Sequence, residues 1–323
     1  MHPPFPLIIG PTAGGKTGLS LALAAGIAST GTAAEVITAD ALQVYRGLDI
    51  ATAKPSPAER AGVPHHLLDI REPDATYTVH EWLRDAESTI QAIRGRGGMP
   101  IVVGGTHLYA KALLEGLFEG PEPDPALRRL LESTDRETLR DELARIDPEA
   151  ASRIHPNDIR RTIRAVEVFR QTGTPISDLQ QQWDEAASPR TDALLVGLDW
   201  PTEALNTRIN ARVKSMMAAG LLAETTALWQ AGSLGPQARE ALGTKQLIDH
   251  LEGRSTLEDA VEHIKIQTRR FAKNQRTWLR RLRATPNALW LPGPETADDP
   301  ASAAERIIRA AEATADREKF STE

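Results

Sequence analysis

Short apolar runs, set apart by stretches of helical length, organise the first part of this chain. PLII (6–9) is apolar and stops at Gly10. EVIT (35–38) is a second run and leads to Asp40, and PIVV (100–103) is a third, ending at Gly104-Gly105. Runs this short, bounded by glycine or acid, predict strands buried on both faces. Between them the spacing changes. Residues 17–27 are rich in Leu and Ala, and residues 82–93 place apolar positions at helical intervals. Strand, helix, strand, helix predicts an α/β fold with a parallel sheet covered by helices on both faces. Ligands of such sheets bind beyond the carboxyl ends of the strands. The turn after the first strand, Asp40 and Thr106 should therefore share one crevice.

The pattern breaks near Gly120. PEPDP (121–125) reads as a linker. From there to about residue 192 the spacing is helical, with almost no β-branched runs. SPRTD (188–192) is a second linker, and ALLVGL (193–198) is a returning core strand. The expected organisation is an α/β core of residues 1–121 and 193–297, with a helical insertion at 122–192. Further helices are expected at 203–219, Leu221–Gln230 and 257–283. Residues 298–323, rich in Ala and Glu, should form a final helix or a flexible tail. No internal repeat is visible.

Composition changes this picture in two places. The 323 residues include no cysteine, which excludes disulfides, thiolate metal sites and a cysteine nucleophile. The net charge of -6 argues against a nucleic-acid partner, but a phosphate backbone is bound by a local patch. Residues 263–283 hold eight cations (Lys265, Arg269, Arg270, Lys273, Arg276, Arg280, Arg281 and Arg283) and no acid. Ile264, Phe271, Trp278 and Leu282, with Thr268 and Gln275 filling the stripe, predict the core face of that helix. Its cations should face phosphates, the alternative being an ordinary solvated face. The start, MHPPFPLIIG, has no basic segment of the signal-peptide kind, and no stretch approaches the ~18 apolar residues of a membrane span. A cytoplasmic, membrane-free monomer is expected.

Gly10-Pro11-Thr12-Ala13-Gly14-Gly15-Lys16-Thr17 fits G-x-x-x-x-G-K-[ST], between a strand and a helix as that motif requires. This makes the sheet P-loop NTPase-like. Successive amides and the positive end of the helix dipole surround a phosphate. Lys16 would contact its oxygens and Thr17 would offer a hydroxyl to Mg²⁺. The motif does not specify the phosphate compound. Asp40, at a strand end, could be a Mg²⁺ ligand, a general base or a helix cap. Asp49 reads as a turn former. Gly104-Gly105-Thr106 places a hydroxyl where it could orient a substrate. Arg208 and Arg212, four apart, share a helix face that suits a diphosphate or simply solvent. His65 and His66 point in different directions and read as structural.

Together these segments resemble the tRNA dimethylallyltransferase (isopentenyltransferase) family. The likeness spans roughly residues 7–283. It is carried by GPTAGGKT (10–17), DALQVYRGLDIATAKP (40–55), GVPHHLLDI (62–70), VVGGTHLYAKALLEGL (102–117), RIHPNDIRRTIRAVEVFRQTG (153–173), RINARVKSMMAAGLLAE (208–224) and TRRFAKNQRTWLRR (268–281). The resemblance implies transfer of the dimethylallyl group of dimethylallyl diphosphate to N6 of the adenosine 3′ of the anticodon, in tRNAs reading codons that begin with U. It assigns catalysis to Asp40, Thr106, Lys16 and Arg212, the diphosphate to residues 10–17, and Mg²⁺ to Thr17. The residues expected at the tRNA anticodon stem-loop are Asp40, Ala41, Leu42, Gln43, Thr106 and Arg128, then Arg160, Arg161, Thr162, Ile163 and Arg164 as the segment the resemblance implies, and Arg269, Lys273 and Arg276 from the basic pattern. The chain departs from the usual pattern at Gly14, Ala41, His107, Arg160, Thr244 and Asn274. Of these, Ala41, His107 and Arg160 lie where RNA should bind. The rival readings are a P-loop kinase or ATPase, an adenylate isopentenyltransferase, and a non-enzymatic RNA-binding module.

Overall fold

The computed structural model of the chain describes residues 3–117, 120–186 and 190–321. The chain divides into two compact units, Met1–Leu114 with Arg190–Glu323, and Glu115–Pro189. The first is an α/β unit. Its elements begin with β1 (Phe5–Ile9), α1 (Lys16–Ala28), β2 (Ala34–Ala39), β3 (His65–His66), α2 (Val79–Gly95), β4 (Met99–Gly104) and α3 (His107–Glu115). The second unit holds α4 (Pro125–Glu132), α5 (Arg136–Ile146), α6 (Pro148–Arg153), α7 (Ile159–Thr172) and α8 (Ile176–Ala186). The first unit resumes with β5 (Ala193–Asp199), α9 (Thr202–Ala218), α10 (Leu221–Gln230), α11 (Thr244–Leu251) and α12 (Leu257–Arg281). It finishes with β6 (Leu289–Pro292), α13 (Gly293–Asp298) and α14 (Pro300–Ser321).

The sheet order is β3-β2-β4-β1-β5-β6, and every pairing is parallel. β1 is wholly buried, as its unbroken apolar sequence requires. One layer of core packs Leu19, Leu23 and Ile27 of α1 with Ile209 and Val213 of α9. The other packs Trp82, Ile90 and Ile93 of α2 with Tyr109 and Leu113 of α3. Thr78 starts α2 with a capping box, its hydroxyl accepting from Glu81 N while the Glu81 carboxylate accepts from Thr78 N.

Two strands escape the hydrophobic pattern. β3 is a His-His pair at the sheet edge, paired with Val36 and Ile37 of β2, and His66 Nε2 lies 2.7 Å from Glu35 Oε2. Arg96 binds the same carboxylate at 2.6 Å and holds it below its ordinary range. β6, LWLP, is too short to announce itself. The expected tail is a helix. Ala303, Ala304, Ile307 and Ala311 of α14 are buried, in the same cluster as Leu23 and Ile27 of α1. The unit boundaries fall at Leu114 and Arg190, where Arg190 N donates to Leu114 O at 3.0 Å. Of the linker expected at 188–192, residues 188 and 189 lie outside the described residues. Asp192 pairs with Arg94 and Arg190, both at 2.5 Å.

The second unit has its own core, built on Leu131, Leu139, Leu143, Ile163 and Val166. Within it Glu167 is fully buried. Its carboxylate takes Arg128 at 2.6 Å and Arg164 at 2.7 Å.

Candidate active site

β1 delivers the chain into the Gly-rich turn, and α1 leaves it with Gly15 as its first flanking residue. Gly15 stands at φ 81° and Ala13 at φ 59°, so the turn uses left-handed backbone twice. Around that turn lies a cavity of about 850 Å³. Thr12 through Thr17 line one wall. Asp40, Ala41, Leu42 and Gln43 beyond β2 form the second, and Gly105, Thr106 and His107 beyond β4 the third. Arg208 and Arg212 of α9, and Phe271 and Gln275 of α12, complete it. The convergence expected at the carboxyl edge of the sheet is present. Gly10 and Pro11 contribute differently, because their carbonyls accept from Lys16 Nζ at 3.1 and 2.8 Å.

The electrostatics of this cavity favour an anion. Burial, and then the charge of Arg212, bring the Lys16 ammonium down to about 8, against an opposing pull from Asp40. Burial also lowers Arg212, with the Arg208 charge adding to it and Asp40 opposing. Three cations are thus crowded together with one carboxylate, an arrangement that a bound diphosphate would relieve. Arg208 is held in place by its Nε–H to Ala13 O at 2.9 Å and by stacking on Trp200, 5.0 Å from the ring centroid. Trp200 in turn donates to Gly14 O at 3.2 Å.

Asp40 resolves part of its ambiguity. Its Oδ1 accepts from Leu42 N at 2.9 Å and Gln43 N at 3.3 Å, so it does organise the following turn. Among the described residues no hydrogen bond reaches Oδ2, and the side chain lines the cavity. Thr106 is tied to the same turn: its Oγ1 accepts from Ala41 N at 3.1 Å. His107 stacks on Trp278 with centroids 5.8 Å apart, and burial lowers its pKa.

α12 requires a correction. Its buried residues are Ala260, Ile264, Ala272, Gln275 and Leu279. Phe271, expected in the core stripe, is 42% exposed and lines the cavity. An aromatic side chain at helical spacing reads as core from sequence, whether it meets protein or an open site. Gln275 reads from sequence only as filler of the stripe, yet it is 2% exposed and bridges two walls. Its Oε1 accepts from Thr12 N at 2.8 Å, and its Nε2 donates to Gly105 O at 2.9 Å. A polar residue inside an apolar stripe was the available signal.

The cations of α12 fall into three groups, Lys265 being paired with Glu262 of the same helix at 2.6 Å. Arg269 donates to Asn210 Oδ1 at 2.8 Å and Arg276 to Thr202 Oγ1 at 2.5 Å, both on α9. Lys273, Arg270 and Arg280 are exposed. In the second unit Arg160 and Arg161 are exposed on the first turn of α7. Thr162 and Ile163 are buried at 1% and 6%, so their side chains support the unit's core. Arg128 and Arg164 are committed to Glu167, with Arg164 also donating to Pro121 O at 2.8 Å. The Asp49 carboxylate receives buried Lys54 at 2.6 Å, an internal ion pair at a turn.

Among the described residues no group of three or more His, Asp or Glu side chains gathers to hold a metal. No described helix is long and apolar enough to cross a membrane.

Residues 43–282 match a family model described as IPP transferase. A tRNA dimethylallyltransferase 1 of Trichlorobacter lovleyi is 45% identical over 91% of this chain and 95% of its own length. A tRNA dimethylallyltransferase of Symbiobacterium thermophilum is 43% identical over 96% of each chain. Among solved structures, a full-length tRNA isopentenylpyrophosphate transferase from Bacillus halodurans superposes with a TM-score of 0.70 at 35% identity. That match covers 98% of this chain and 100% of the other. A eukaryotic dimethylallyltransferase acting on tRNA gives 0.78 at 30% identity, over 94% and 77%.

Proposed function

The chain belongs to the tRNA dimethylallyltransferase (IPP transferase) family, and from that premise we propose that it transfers the dimethylallyl group of dimethylallyl diphosphate to N6 of the adenosine 3′ of the anticodon. The acceptors are tRNAs reading codons that begin with U, and pyrophosphate leaves. One observation carries this reading: a cradle for a diphosphate and a carboxylate with a free oxygen open onto the same cavity.

An exocyclic amine is a weak nucleophile, and the base must leave its stack to reach a buried donor. Unstacking costs a few kcal/mol, roughly, which contacts to the stem-loop phosphates offset. Asp40 Oδ2 accepts a hydrogen bond from N6 and orients the lone pair toward C1 of the donor. The N6–C1 bond forms as the C1–O bond breaks, and the N6 proton passes to Asp40. Negative charge gathers on the departing diphosphate, where Lys16, Arg212 and the turn amides stabilise it. Thr106 fixes the turn that carries Asp40. Apolar walls around the tail exclude water, which would otherwise intercept an allylic cation-like transition state.

The site also suits Mg²⁺. Thr17 is exposed and lines the cavity beside the Gly-rich turn, a single protein oxygen of the kind this ion uses alongside phosphate oxygens and water. Thr17 would hold it, and it would neutralise charge on the diphosphate. The RNA-facing residues in this reading are Lys273, Arg269 and Arg276 of α12 and Arg160 and Arg161 of α7. One chain carries every residue used, so a monomer suffices. The cytoplasm, where tRNA is at hand, is its place of work.

The test is mass spectrometry of nucleosides from unmodified tRNA incubated with the protein and dimethylallyl diphosphate, with an ATP-only control. The expected product is N6-dimethylallyladenosine opposite no change with ATP. Phosphoryl transfer from ATP without the prenylated nucleoside overturns the reading in favour of a kinase.

A further inference from the structure

The cavity has a donor half and an acceptor half. The Gly-rich turn belongs to the first. Gly105, Thr106 and, through Thr106 Oγ1, the Ala41 turn that carries Asp40 belong to the second. The two halves sit on different strands, β1 and β4. A single side chain joins them through both of its polar atoms. Thr12 N can only donate and Gly105 O can only accept, so the Gln275 amide has one workable orientation, with Oε1 toward Thr12 and Nε2 toward Gly105. The bridge is nearly solvent-free, at 2% exposure. The opposing wall is shaped for it, because a Cβ on Gly105 would stand 2.7 Å from Gln275 Nε2. Burying an amide here without both partners would be unfavourable, and with both partners it fixes a distance.

We infer that Gln275 is a positioning residue that sets the separation between the donor's diphosphate cradle and the turn holding the acceptor amine. This inference rests on the function proposed above. Attack of N6 on C1 requires the two atoms near contact and in line, and a misplacement of about 1 Å can lower the rate on the order of 10²-fold. A residue that only spaces the two halves acts on the chemical step. Each half keeps its own contacts to its own ligand, so binding of either alone changes little.

Two variants test this. Gln275→Met keeps the volume and removes both hydrogen bonds. Gln275→Glu keeps acceptance from Thr12 N as a carboxylate, but turns an oxygen against Gly105 O. As a carboxylic acid it does both, accepting from Thr12 and donating to Gly105. Single-turnover dimethylallyl transfer to an anticodon stem-loop RNA would be followed from pH 5 to 8, each variant against wild type at the same pH. Affinity would be measured in parallel for the donor analogue with a bridging sulfur. Gln275→Met should turn over about 10- to 100-fold slower at every pH, with analogue affinity within about threefold. Gln275→Glu should match that defect at pH 8 and recover toward wild type as the pH falls. A merely structural role would instead carry analogue affinity and melting temperature down together with turnover. Variants as fast as wild type, a flat pH ratio for Gln275→Glu, or analogue affinity falling in step with turnover each overturn the inference. Those outcomes leave the functional reading intact, whereas a wild-type protein that transfers no dimethylallyl group overturns both.

Discussion

At Lys16 a single proton links the donor to pH. Its ammonium is lowered to about 8 in the donor-free protein, and a diphosphate beside it favours the charged form. Above that pH the side chain is neutral before binding and must take up a proton to bind. Donor affinity should therefore be level below pH 8 and fall by up to about tenfold per unit above it. Calorimetry in buffers of different ionisation enthalpy would show the proton uptake. Lys16→Arg, charged throughout, should remove the pH step; a step that survives in that variant assigns the titration to another group. Asp40 acts on the other substrate. Asp40→Ala should slow transfer by about 10²- to 10⁴-fold and leave donor-analogue affinity within a few fold. An equal loss of affinity would move Asp40 to the diphosphate. The placement of these two residues at the cavity is legible in sequence, because one lies in the Gly-rich turn and the other at a strand end. Gln275 was not legible, since its function depends on the two loops that meet over it, and no spacing along the chain announces that meeting.

Among the elements, legibility follows burial and length. Four strands stand out because they are short, mostly apolar runs bounded by glycine or acid. β3 does not, because a two-residue His-His pair carries no apolar run, and its pairing with Val36 and Ile37 of β2 is made by the backbone. Helical periodicity identified α12 but placed Phe271 inside, since a cavity wall and a core demand the same kind of side chain. The distribution of its cations supports a graded prediction. Lys273→Glu, at an exposed position, should reduce the slope of log affinity for stem-loop RNA against log salt by about 0.7–0.9 per lost phosphate contact and leave the melting temperature unchanged. Arg269→Ala also releases Asn210 on α9, the helix carrying Arg208 and Arg212. It should therefore slow transfer at saturating RNA as well. An unchanged salt slope in both variants would remove α12 from the RNA-binding surface.

Over the whole molecule, two cores divide the labour, and each can be weakened by itself. The second unit depends on Glu167, a carboxylate with no solvent and two guanidinium partners. Arg164→Met leaves that charge half-compensated and should destabilise the unit by about 2 kcal/mol. A lower-temperature transition in calorimetry, with donor-analogue affinity retained, is the expected reading. A single unshifted transition would mean that the pair contributes nothing. Sequence marked this insertion by its change of periodicity, but its edges came out several residues late, at 122 and 192 against Glu115 and Pro189. The linker residues are punctuation, whereas the boundary is where contacts cease.

The pairing of α14 with α1 has a consequence for biosynthesis. Ala28 and Pro300 are 272 residues apart, yet α14 seals the outer side of the helix that emerges from the phosphate turn. On the ribosome, α1 must wait for its partner α14 until nearly all the rest has been made, and β1 must wait for its neighbour β5 at residues 193–199. Such distant closures fold late and leave greasy surface available to chaperones in the meantime. Nascent chains arrested before residue 300 should be cut by protease within α1, whereas chains released past residue 321 should resist.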